Sequence, residues 1–232
     1  RKNQRQSFQV PQRGQIDFER GRLIIPKFQE GIRCAISRRF EGEKKTFTVS
    51  KTTTGKYFVS VLVETPEDAP KKPAATEGGT LGVDVGLRDF CILSTGERVA
   101  NPRHLRSEIA RLKILQNRAS KKQKGSSNRR KANRKVARLH EKIANQRSDF
   151  LHKTTHRLCN ENQVDSIAIE DLNVSGMMKN HFLAQSIADV SWSEFFRQIE
   201  YKTEWRGINL LRIGRFEPSS RLCTCGVVNK DL

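Results

Sequence analysis

Short alternating runs of apolar and polar residues fill the first quarter of the chain. "QIDFERGRLIIPKF", "GIRCAISRRF" and "KTFTVSKTTTGKYFVSVLVE" switch character every residue or two, and Gly14, Gly21, Gly31, Gly42 and Gly55 punctuate them. Period-two patterning rich in Val, Ile, Phe and Thr predicts β-hairpins from Phe8 to Val63, folded as a small antiparallel sheet or barrel. Thr65 to Gly79 then mixes proline, charge and small residues without apolar periodicity. This predicts a linker over 66–79, with a boundary near Glu77.

Beyond the linker, "TLGVDVG" and "RDFCILST" read as two strands about a tight turn at Gly86, and "GERVA" as a third, which together form a meander. Leu105, Ile109, Leu112 and Leu115 recur at helical spacing, as do Val136, Leu139, Ile143 and Phe150. Two helices joined at Gly125-Ser126-Ser127 follow, an insertion over about 103–158. Val164 to Val174 is a further strand ending in Glu170 and Asp171. Ser186 to Trp205 sets Ile187, Val190, Phe195 and Ile199 on one face of a single helix, and "INLLRIGRF" closes as a strand. The order is strand, strand, strand, helical excursion, strand, helix, strand. With the fourth strand laid parallel beside the first, this is an α/β, RNase H-like mixed sheet over 80–217, preceded by the β-module.

Composition sharpens the picture at the helical excursion. The chain of 232 residues carries 44 Lys plus Arg against 25 acids, a net charge of +19, with 35% hydrophobic residues. That is enough apolar material for a core and enough positive charge to call for a polyanionic partner, nucleic acid first. Between Arg103 and Arg157 only Glu108, Glu141 and Asp149 oppose the basic residues. Lys121, Lys122, Lys124, Arg129, Arg130, Lys131, Arg134 and Lys135 crowd the turn between the helices, and Lys51 and Lys56 sit on the β-module. Such a run is either a solvated face or a phosphate-binding arm, and its one-sidedness favours phosphate. No apolar run approaches the roughly 20 residues of a membrane span, and the first residues lack a signal-peptide core, so an intracellular location is expected. Cys34, Cys91 and Cys159 read as core thiols, while Cys223 and Cys225 stand apart as a C-x-C pair.

Asp84 is the anomaly, a charge between two valines in an apolar strand. It requires a partner, a metal or an exposed strand end, because burying an unpaired carboxylate costs several kcal/mol. In the RNase H-like order, Glu170 converges with Asp84, and two carboxylates on neighbouring strands share a divalent cation, with oxygen donors suiting Mg²⁺. A capping, turn or salt-bridged role is the alternative.

The blocks "GVDVGLRDFCILSTGE", "DFLHKTTHRLC", "IAIEDLNVSGMMKN", "SWSEFFRQIEYKTEWRGINLLRI" and "FEPSSRLCTCG" resemble, in order, those of the transposon-encoded TnpB (OrfB) family of RNA-guided DNA endonucleases, relatives of the type V CRISPR effectors. The resemblance implies a RuvC nuclease domain in which Asp84 is the first aspartate and Glu170 the Mg²⁺-holding glutamate, with Asp171 a neighbour. It also implies a wedge β-barrel over 1–65 that grips a guide RNA of the omega-RNA type, and a double-stranded DNA target. The host would be a prokaryote, the protein lying in its cytoplasm or nucleoid. "SSRLCTCGVVNKDL" is similar to the first half of a zinc ribbon over 218–232, with Cys223 and Cys225 as Zn²⁺ ligands; the family knuckle is C-x-x-C, and free thiols are the other reading. A third aspartate beyond Leu232 and a helical recognition module before Arg1 are implied as well. Two other functions compete with the nuclease: a nuclease-inactive RNA-guided DNA-binding protein or repressor of the same lineage, and a DDE-type transposase.

Overall fold

Alternation in the first sixty residues resolves into six strands in the structure, a computed structural model that describes residues 6–11, 14–161 and 164–214. These are β1 (Gln6–Pro11), β2 (Gln15–Asp17), β3 (Arg22–Ile25), β4 (Phe28–Arg33), β5 (Glu43–Lys51) and β6 (Tyr57–Glu64). They form two three-stranded antiparallel sheets, β1-β5-β6 and β2-β3-β4, where the sequence suggested one sheet or barrel. The hydrogen-bonded ladders stay separate, and a shared core of Val10, Leu23, Ile25 and Phe47 joins them. Phe47 is fully buried, and Gly14 is what admits its ring, because a Cβ at that position would collide with it.

The chain divides into two compact units, Arg1–Asp68 with Arg118–Arg138, and Ala69–Asn117 with Leu139–Leu232. The boundary falls earlier than composition suggests. Pro70 to Gly79 lacks periodicity, yet polar groups of the second unit take up its backbone. Asn209 Nδ2 donates to Pro73 O at 2.8 Å, Thr80 Oγ1 donates to Thr76 O at 2.6 Å, and Lys72 pairs with Glu204.

The second unit is built on a five-stranded sheet. Its strands are β7 (Thr80–Val85), β8 (Asp89–Leu93), β9 (Arg98–Ala100), β10 (Ser166–Glu170) and β11 (Asn209–Ile213), in the order β11-β10-β7-β8-β9. The meander β7-β8-β9 is antiparallel. Strand β10 lies parallel to β7 and β11 parallel to β10. The fourth strand therefore stands beside the first, as the element order predicts.

One face of this sheet is covered by the far end of a long helical hairpin, α1 (His104–Ser120) and α2 (Ser127–Asn160), and by α4 (His181–Val190) and α5 (Trp192–Arg206). A short turn of helix, α3 (Val174–Met177), leads from β10 into α4. Leu81, Val83, Val85, Ile167 and Ile169 supply the sheet's side of the core, and Leu151, Leu158, Ile187, Phe195 and Ile199 the helical side. Phe90 is clamped edge-on between Phe150 and Phe195, with centroids 4.9 and 5.0 Å away.

The single helix expected from Ser186 to Trp205 is two. Ser191 takes a left-handed conformation, φ +59°, and Arg147 Nη1 holds the break by donating to Ala188 O at 2.6 Å and to Ser191 Oγ at 3.2 Å. Gly207, at φ +67°, ends α5 in the left-handed cap that glycine favours.

Candidate active site

Along β7 burial alternates: Leu81, Val83 and Val85 are buried, and Asp84 is exposed on the opposite face. Strand β10 alternates in the same phase, with Ile167 and Ile169 buried and Glu170 half-buried. The last paired residues of the two strands are Ile169 and Val83. One step further along both strands come Glu170 and Asp84. In a parallel pair, residues at one register point to one face, on strands about 4.8 Å apart. The two carboxylates therefore share the face turned away from the core, at the carboxyl ends of adjacent strands. Two residues earlier on that face stand Gly82 and Ala168, and neither brings bulk against the pair.

The charge within an apolar strand is thus not buried. The Asp84 carboxylate makes no hydrogen bond or ion pair among the described residues, which leaves no capping or salt-bridge partner for it there. Asp171 follows the strand, its N–H donating to Ile213 O at 3.0 Å. Two convergent hard oxygen donors fit part of the ligand set of a cation such as Mg²⁺. No group of three or more His, Cys, Asp or Glu able to hold a metal occurs among the described residues.

The basic residues expected at the arm lie around the hairpin turn. Lys121, Lys122, Lys124, Arg130, Lys131, Arg134 and Lys135 are exposed. Arg129 differs, because its Nη1 donates to Lys122 O at 3.0 Å and its N–H to Ser126 Oγ at 3.1 Å, closing the turn at Gly125. Lys51 rests over the Tyr57 ring, 5.3 Å from its centroid, and Lys56 is exposed beside it in sequence. Cys91 and Cys159 are buried thiols, and burial pushes them up to about 12 and about 11. Cys223 and Cys225 lie outside the described residues.

Two polar features escaped the sequence reading. Asp189, 8% exposed, accepts the N–H of Leu105 at 2.8 Å and of Arg106 at 3.0 Å, capping α1 from α4. The only local hint is that "NPRHLRSE" offers no capping side chain of its own just before the helix. Between α2 and α5, Thr155 Oγ1 donates to Leu151 O and accepts from Lys202 Nζ, both at 2.7 Å. The fully buried Gln198 donates to Glu194 Oε1 at 2.9 Å. Arg197 grips the same carboxylate at 2.8 and 2.7 Å, and holds Glu194 down to about 2.

A five-stranded mixed sheet in this order, with helices packed on one face, fits a RuvC-like fold of the RNase H type. Residues 58–181, more than half of the chain, match the OrfB_IS605 family, described as "Probable transposase", and the chain belongs to that family. Residues 192–231 match the TNB domain of Cas12f1-like proteins. Among curated relatives, one from Streptomyces pristinaespiralis, named "Putative RNA-guided DNA endonuclease", is 44% identical over 224 residues. That match covers 95% of this chain and 54% of the relative. "Putative RNA-guided DNA endonuclease InsQ" of Escherichia coli (strain K12) is 33% identical, covering 100% of this chain and 60% of the relative. The fold resembles a chain in the cryo-EM structure of the Cas12f1-sgRNA-target DNA complex, with TM-score 0.56 at 17% identity over 97% of this chain and 52% of that one. The chain thus spans a little over half the length of these relatives.

Proposed function

We propose that the chain carries the nuclease core of a transposon-encoded, RNA-guided DNA endonuclease, with Asp84 and Glu170 holding a divalent cation, Mg²⁺. The juxtaposition of these two carboxylates on one open face of adjacent parallel strands carries the reading. A bound cation at such a site activates water and stabilises the leaving oxygen of a phosphodiester. The protein's own part is to fix the oxygen donors on the ends of adjacent strands, where a phosphodiester would meet them. Family membership supports the same reading, as do the names of the relatives.

Guide RNA and target DNA are the proposed partners, by analogy with the complex named for Cas12f1. Sequence selection then falls to base pairing, and the protein holds backbones. Residues 1–65, with Lys51 and Lys56, take the wedge role on the guide. The basic cluster from Lys121 to Lys135 tracks phosphates, which matches its exposure and lack of acids. Cys223 and Cys225 as Zn²⁺ ligands rest on motif resemblance and on the match of 192–231 to the TNB domain. An intracellular setting in a prokaryote accords with these partners. No helix among the described residues is long and apolar enough to cross a membrane.

The test is cleavage of a guide-matched DNA duplex by the protein reconstituted with its guide RNA and Mg²⁺. Asp84→Ala and Glu170→Ala should each lower the rate by at least about 100-fold, the several kcal/mol a catalytic cation contributes, while RNA binding survives. Undiminished cutting by either variant would overturn the assignment. Strand transfer without RNA would instead mark a transposase, and RNA-guided binding without cutting in the unmodified protein would mark a repressor.

A further inference from the structure

A second polar site opens at the end of the sheet that carries the carboxylates. A cavity of about 260 Å³ lies between the β7–β8 turn, the junction from β9 into α1, and α4. Three arginines line it: Arg88 from the turn, Arg103 from the junction and Arg106 from the first turn of α1. All three are exposed residues, and none makes an ion pair or a side-chain hydrogen bond among the described residues. The one acid in the lining is Asp189, and both of its oxygens are taken by the α1 amides. Three arginines without an ion-pair partner thus share a lining whose one carboxylate is already engaged, and the net positive charge left there favours an anion.

The cavity is braced. Asn101 Nδ2 donates to Leu87 O at 2.9 Å, and Asn101 Oδ1 accepts the N–H of Arg103 at 3.1 Å, so one side chain ties together the segments bearing Arg88 and Arg103. Arg103 is held in the left-handed region, φ +49°, a conformation that is unfavourable for an L-residue. Backbone strain of this kind persists where the surroundings impose it, and it collects at ligand clamps. Gln185 and Ser186 on α4, with neutral hydrogen-bonding groups, complete the lining.

We propose that this cavity seats one backbone phosphate of a nucleic-acid strand. Planar guanidinium forks match the two free oxygens of a phosphodiester. Exposure of all three arginines leaves the strand room to enter and leave, which a closed pocket for a small metabolite would not give. Leu87 follows Asp84 by only three residues, at most about 11 Å of extended backbone. The seat thus fixes the strand a few nucleotides from the carboxylates without reading its sequence. The proposal rests on the nuclease reading for its ligand, but not for the anion site itself.

Two measurements on the whole chain test it: melting temperature against inorganic phosphate at constant ionic strength, and anisotropy of a fluorescein-labelled 20-nucleotide single-stranded DNA across salt. Phosphate should raise the melting temperature of the parent chain and not that of Arg103→Gln/Arg106→Gln. DNA affinity of that variant should fall about tenfold, the loss of charged hydrogen bonds, with a salt slope shallower by about 0.7, the value for one neutralised phosphate on a single strand. Arg88→Gln, in an exposed turn, should move both readouts the same way and serves if the double variant does not fold. Equal phosphate protection of parent and variants overturns the proposal, and so do unchanged DNA affinity and slope. Phosphate protection that the variants lose, with no DNA binding by the parent chain, leaves a small-anion site; it overturns the backbone seat and counts against the nuclease reading, whereas DNA binding indifferent to the variants sinks the seat alone.

Discussion

Asp189 caps α1 from 84 residues away in the chain, with Oδ1 on the Leu105 N–H and Oδ2 on the Arg106 N–H. The first amides of a helix have no partner within it, and here a buried carboxylate from another helix satisfies two of them with charge-assisted bonds. The pairing fixes where the helical hairpin leaves the sheet.

Asp189→Ala should therefore destabilise the protein by about 2 kcal/mol, the upper range for loss of a cap, because both amides are left without an acceptor. Asp189→Asn keeps one oxygen and should lose about half as much. Urea-unfolding midpoints of the two variants, at an unchanged slope, check the ordering.

Phe90 is fully buried with two aromatic edges against it. Phe90→Ala removes a side chain from between β8, α2 and α5, none of which is free to close the gap, and should cost about 3–5 kcal/mol. Phe90→Leu keeps most of the volume and should cost clearly less. Denaturant unfolding of both variants reads the difference.

The sheet was legible in the sequence because its code is local. Leu81, Val83 and Val85 alternate with Gly82 and Asp84, Ile167 and Ile169 alternate with Ala168 and Glu170, and a meander followed by a crossover leaves one economical strand order. From that order the neighbouring placement of Asp84 and Glu170 follows, and an exposed strand end was one of the three explanations that the charge in an apolar strand allowed. What stayed hidden was set by distant partners. The break at Ser191 lies between Ile187, Val190, Phe195 and Ile199, whose spacing suits one continuous helix, and Arg147 on another helix stabilises it. Asp189 resembles any polar residue near a helix end until α1 is placed beside it. Pro70 to Gly79 reads as a linker since its anchors, Glu204 and Asn209, come more than a hundred residues later.

Acid should weaken the packing of α2 against α5. Arg197, and then Gln198, hold Glu194 at about 2, against 4.5 for an ordinary glutamate. A carboxylate depressed in the folded state contributes stability above its unfolded value, and this is lost as pH falls from about 4.5 toward 2. His152 adds to the same trend from a higher pH. Desolvation, with Lys202 nearby, lowers it from 6.5, so protonating it below that value favours the unfolded chain. Urea midpoints should decline from about pH 6.5 downward. Glu194→Gln should flatten the limb below pH 4.5, and His152→Gln the limb above it.

Within the basic cluster, Arg129 and the lysines divide into two roles. Lys121, Lys122 and Lys124 are exposed on the turn, whereas the Arg129 guanidinium is committed to Lys122 O. Replacing the three lysines by glutamine should leave stability within about 0.5 kcal/mol, as for most surface changes. It should make the salt slope of single-stranded DNA binding shallower by about 0.7 for each phosphate that is no longer neutralised, so by as much as about 2. Arg129→Ala acts through the backbone instead. It frees the Lys122 carbonyl, loosens the turn about Gly125 and should cost about 1 kcal/mol, the worth of one such hydrogen bond. Amide hydrogen exchange at 121–128 separates the cases: faster exchange in Arg129→Ala and parent-like exchange in the lysine variant establish the division, and identical protection in both would show that the Arg129 bond does not hold the turn.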